Sequence, residues 1–214
     1  MYNESPVHAE SCCGLTIKIF NDDCAVNPYE EWDRLGTLYH WHKRDFIGES
    51  LSRLEGYEIK EKIKQIKQNG GVIVPVYLYE HGGQTINTSG FSCPWDSGQV
   101  GFWAVTREEI LKEYGKKRVS KAMREKVEAI IKSQVESIDD YLQGKVYGYV
   151  IENDSGEELD SCWGFYGDYN TYCLGEAKSA AEFCFKHILK EKQAKVKTWI
   201  KNRVPLENRQ ALAA

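Results

Sequence analysis

The chain has 214 residues, 42% hydrophobic, 28% charged and 12% aromatic, which is the composition of an ordinary globular protein and excludes intrinsic disorder. Lys and Arg total 28 against 32 Asp and Glu, a net charge of -4 that argues against a generally basic nucleic-acid binder. Mean hydropathy is -0.54, and no apolar run approaches the roughly 18 residues a membrane helix needs.

Met1 to Glu10 carry Glu4, His8 and Glu10 and no apolar core, so no secretory leader is expected and the expected compartment is the cytoplasm. The seven cysteines include the adjacent pair Cys12 and Cys13 but no CxxC spacing. Reduced thiols, several of them buried, are the expectation. A structural disulfide, or a metal cluster at Cys12, Cys13 and Cys24, is the alternative.

In chain order, Leu15–Phe20 alternates apolar and polar residues as a half-buried strand does. Asn27-Pro28 opens a short helical piece with Glu30 and Glu31 in its first turn. Thr37–His42 reads as a second strand. Ile59, Ile63 and Ile66 mark a helix over 57–68, stopped by Asn69-Gly70-Gly71. Val72–Glu80 reads as a buried strand, although Pro75 demands an edge or a bulge there. His81-Gly82-Gly83 turns the chain into a return strand at Thr85–Thr88, and Gln99–Val105 is a further strand. Thr106 and Glu109 form a capping box for a short helix ending at Gly115. Ser120 opens the longest helix, to about Leu142. Val146–Glu152 and Leu159–Tyr166 pair as a hairpin around Asn153–Gly156. Two helices follow, at about 177–190 and 192–202. The fold class is therefore α+β with a mixed or mainly antiparallel sheet packed with helices. The expected domains are a core over 1–176 and a C-terminal helical extension over 177–214.

Four segments could carry function. In the loop Cys93–Gln99, a nucleophilic reading makes Cys93 the thiolate, His81 its base and Asp96 the group that orients the base. The other reading is a tight turn with Asp96 capping backbone amides. His40 and His42, two apart on a strand, would share a face and could hold a divalent metal, with Asp22, Asp23, Asp45 or Glu49 adding oxygen ligands. HxH alone is nonspecific, and two histidines beside a basic edge is the plainer explanation. In Asp160–Asp168, Trp163, Phe165 and Tyr166 could form an aromatic platform for a protein partner, as could Trp95. The alternative is a twisted strand whose glycines let rings pack across them. Finally, Lys-rich stretches around 112–124 and 186–203 offer a nucleic-acid surface or a solvated helix face. No Walker loop, GxGxxG or GxSxG occurs, so nucleotide hydrolysis and α/β-hydrolase chemistry have no support.

Several blocks carry a resemblance. They are Asn27-Pro28 through Trp32-Asp33-Arg34-Leu35-Gly36-Thr37, then His42-Lys43-Arg44, Gly90–Gly101, Tyr147–Val150 and Cys162–Gly167. Together they resemble hypothetical proteins of bacteriophages and mobile elements. That resemblance implies a viral or mobile-element setting rather than a reaction. Small phage proteins of this kind bind and block host machinery, including CRISPR and restriction systems. The expected function is a cytosolic binding protein that inhibits a host protein complex. The alternative is a small hydrolase built on Cys93 and His81 or on a metal at His40 and His42.

Overall fold

The computed structural model describes residues 5–43, 47 and 52–205. The fold is α+β, with two mostly antiparallel sheets and five helices among these residues. The chain divides into two compact units: Asp23–Val146, and the two ends of the chain up to Asp22 and from Tyr147 onward.

The central unit holds a five-stranded sheet. Its elements begin with α1 (Pro28–Glu31) and β3 (Thr37–His40), after β1 (His8–Cys12) and β2 (Leu15–Asn21) of the other unit. They continue through β4 (Ser52–Arg53), α2 (Gly56–Gln68), β5 (Val72–Glu80), β6 (Gln84–Asn87), β7 (Ser97–Val105), α3 (Arg107–Tyr114) and α4 (Lys121–Leu142). The strand order is β4-β3-β7-β5-β6. Only β3 with β4 runs parallel among the described strand pairs of this sheet. Alternation along the strands fills two layers. Val72, Val74, Val76, Leu78, Trp103 and Val105 meet Val127, Ile131, Val135 and Ile138 of α4. Phe102 and Ala104 meet Ile66 of α2 on the opposite face.

Pro75 sits opposite Phe102 of β7, short of the segment Tyr77–Glu80 that pairs with β6. The strand is thus an edge on that side at the proline, and its register shifts between Val76 and Tyr77. Both arrangements spare the sheet the donor that proline lacks. The helix ends follow local chemistry. Thr106 accepts from Glu109 N while Glu109 Oε2 accepts from Thr106 N, and Gly115 closes α3 at φ 58°. Ser120 Oγ caps α4 through Met123 N.

The other unit is a four-stranded sheet of order β1-β2-β8-β9. Its strands are β1 (His8–Cys12), β2 (Leu15–Asn21), β8 (Val146–Glu152) and β9 (Glu158–Tyr166). Helix α5 (Cys173–Arg203) covers one face. Leu15, Ile17, Ile19, Tyr149 and Ile151 pack against Cys173, Ala177 and Ala181, small residues four apart that let the helix lie close to the sheet. The strand β1 was not expected. Its only aliphatic side chain is Ala9, and it exists because β2 offers a ladder.

The two expected C-terminal helices are one helix of 31 residues. No Gly or Pro lies near Glu191, so nothing breaks it. The division placed at residue 176 falls inside this helix. The buried residues on either side of it, Cys173 and Ala177, share one core. From Glu191 to Trp199 every residue of α5 is exposed. No helix among the described residues is long and apolar enough to cross a membrane.

Candidate functional site

The loop between β6 and β7 is pinned at both ends. Asn87 Oδ1 accepts from Ser89 N and Gly90 N at 3.1 and 2.7 Å, an Asx turn that starts the loop. Ser97 Oγ donates to the Cys93 carbonyl, and Glu80 N donates to the Asp96 carbonyl at 2.9 Å. Phe91 packs on Tyr79, with ring centroids 5.7 Å apart. These bonds hold up Trp95, whose side chain is 90% exposed.

The structure brings Cys93, Asp96 and His81 together, in a particular order. Asp96 Oδ2 lies 3.8 Å from Cys93 Sγ and 3.3 Å from His81 Nδ1. The carboxylate stands between thiol and imidazole. Nucleophilic catalysis needs the imidazole in the middle, taking the thiol proton on one nitrogen while the carboxylate orients the other. The His81 side chain is 71% exposed, so the cluster sits on open surface. Asp96 and Trp95 line an open groove of about 390 Å³ with His42, Glu80 and Gln99, and neither Cys93 nor His81 forms its wall. A second crevice, between Pro28, Trp32 and Trp103, has about 20 Å³, room for one water.

The two histidines part company. The strand β3 ends at His40, so the alternation that would align His40 with His42 stops between them. His40 is wholly buried, whereas His42 lines the groove. Asp22 Oδ2 accepts from Gly164 N at 3.1 Å. Asp45 and Glu49 lie outside the described residues. Among the described residues no group of three His, Cys, Asp or Glu side chains is placed to hold a metal ion.

The aromatic segment of β9 does not form one platform. Trp163 is half-buried against Gly148 and Phe20, with its ring 6.4 Å from Phe20. Phe165 packs 5.7 Å from Tyr149 and 5.5 Å from Tyr172, on the helix-covered face. Residues two apart in a strand share a face, but Gly164 at φ 84° intervenes and sends the two rings to opposite faces. Tyr166 is half-buried.

All seven cysteines carry free thiols. Burial pushes Cys173 up to about 11 and also raises Cys184, so these two are protonated packing residues. Burial raises the Tyr149 hydroxyl to about 12, helped by Asp160.

No family model matches the chain, nor does any curated protein or solved structure.

One exposed surface was missed from sequence. Phe185, Leu189, Val196 and Trp199 stand on the outer part of α5 at 39, 43, 56 and 54% exposure. Between Glu182 and Arg203 the helix carries seven Lys or Arg against two Glu. Lys186 pairs with Glu182 at 3.5 Å. The spacing of four, seven and three was readable as a helical stripe, but a packed stripe and a bare one have the same pattern.

Proposed function

We propose that this protein is a cytosolic binding protein that acts by occupying a surface of another protein. A single observation supports this most directly: Trp95 is 90% exposed on a loop tied down by five hydrogen bonds. Exposing an indole to water is unfavourable, and fixing the loop that carries it lowers the entropy cost of docking it. Tryptophan on a stiff support is the residue type that most often anchors a protein interface. The groove beside it supplies the polar rim through Glu80, Asp96, Gln99 and His42.

The proposed target is a bacterial nucleic-acid-processing or defence complex. That setting rests on the resemblance of the sequence blocks to proteins of phages and mobile elements. The mechanism is steric, with no reaction at Cys93. Expression in a bacterium carrying a restriction or CRISPR system is expected to raise the plating efficiency of a targeted phage, and Trp95→Ala is expected to abolish that protection. Unchanged plating across several such systems counts against the reading. Cys93→Ala separates it from a hydrolase, since a steric binder keeps its full effect.

A further inference from the structure

The hairpin of β1 and β2 closes with Cys12 opposite Leu15, which leaves Cys13-Gly14 as a two-residue turn. Cys13 has φ 56° and Gly14 φ 76°. Positive φ at both central positions is the type I′ geometry, whose first position prefers Asn, Asp or Gly. Cys13 is the one non-glycine residue with positive φ among the described residues. A side chain held there costs about 1–3 kcal/mol, and such strain is characteristic of functional positions. The turn has a geometric result. Neighbours along a strand point to opposite faces. Here the left-handed backbone swings Cys13 round until its Sγ lies 3.8 Å from Cys12 Sγ.

That separation fits a particular chemistry. Two sulfurs bound to one pyramidal trivalent centre stand a little closer than the 3.8 Å seen here, a gap that a small rotation of the exposed Cys13 side chain closes. A disulfide requires about 2.05 Å. Cys13 is exposed and Cys12 half-buried, so a ligand can enter from solvent. Among the described residues no third ligand completes a metal cage. A ligand that two thiolates satisfy, and that brings its other substituent with it, suits such a pair.

We propose that Cys12 and Cys13 form a two-thiol chelating site for soft, thiophilic electrophiles of the trivalent organoarsenical class. With phenylarsine oxide as probe, two As–S bonds form and the arsenic–oxygen bond breaks. The two thiol protons leave with the oxygen as water, and no atom changes oxidation state. Burial, followed by the neighbouring Cys13 and by Glu182 and Glu10, holds the Cys12 thiol above its ordinary value, so the rate of uptake rises with pH as the thiolate forms, while the step itself releases no net proton. The site stands independently of the docking role of Trp95.

The test is intact-mass spectrometry of the folded full chain after phenylarsine oxide treatment and a wash with excess 2-mercaptoethanol. A chelate resists a monothiol, whereas an adduct on a single cysteine does not. Wild-type protein and Cys93→Ser are expected to keep one adduct. Cys12→Ser and Cys13→Asn are expected to lose it, with half-labelling shifted to about 100-fold higher probe. Asparagine suits the turn, so Cys13→Asn is expected to melt no lower than wild type, and the loss then reports the site and not the fold. An adduct that survives in Cys13→Asn, or one that the monothiol strips from wild type, overturns the proposal.

Discussion

The indole of Trp163 occupies the space that a β-carbon on Gly148 would take. The glycine in β8 is a seat for the ring from β9, and Phe20 closes its side. Gly148→Ala is therefore expected to destabilise the fold by about 1–3 kcal/mol, since the ring must shift within a packed surface. Thermal melts measure the loss, and a changed tryptophan emission reports the displaced ring. Adding Trp163→Leu should return part of the stability, a coupling that a double-mutant cycle isolates.

Asp139 fastens α4 to β6. Its Oδ1 accepts from Thr85 Oγ1 at 2.6 Å and from Ile86 N at 2.8 Å. Asp139→Ala leaves the amide of Ile86 without this acceptor, beside a side chain that is 2% exposed. The expected cost is about 1–3 kcal/mol by chemical denaturation. Asp139→Asn keeps an oxygen in place and should cost less.

The neighbouring Asp140 carries the opposite sign. Burial first, and then Asp139, lifts its carboxyl above the ordinary 3.8. Its ionised form is therefore less favourable in the folded chain than in the unfolded one. The resulting stability is full below pH 3.8 and fades as pH rises through the folded value. Asp140→Asn is expected to melt higher than wild type at pH 7. That advantage should vanish as pH falls below 3.8, which parallel melts from pH 2.5 to 7 would show.

Trp95 should contribute nothing to the fold. At 90% exposure its removal in Trp95→Ala is expected to change stability by less than about 0.5 kcal/mol. In the free protein this indole is open to acrylamide quenching. A partner that docks on it should protect it, and a bound complex with unaltered quenching would place the interface elsewhere.

What could be read from the sequence was what short-range chemistry dictates. Thr106, Glu109 and Gly115 mark α3 because caps act within a few residues, and Ser120 marks α4 likewise. The nearness of Cys93, His81 and Asp96 was legible because one turn and one loop lie at the same end of β5 and β7. Their order was not, because a string does not say which side chain stands between two others. Trp163 and Phe165 looked like one surface until Gly164 took a left-handed conformation, which depends on the pairing with β8. The long α5 was divided where Glu191, Lys192 and Gln193 interrupt its apolar positions, although every residue there tolerates a helix.

The pairing of β2 with β8 joins Thr16 to Glu152 across the whole central unit. Translation therefore delivers Asp23–Val146 complete while the β1–β2 hairpin still lacks its neighbouring strand. The central unit can fold on the ribosome first, and the nascent N-terminal hairpin then presents an open backbone edge to any other chain nearby. A chain released after residue 146 should have a folded middle and an adhesive N-terminus, whereas one that continues through Glu152 carries the strand that seals that edge.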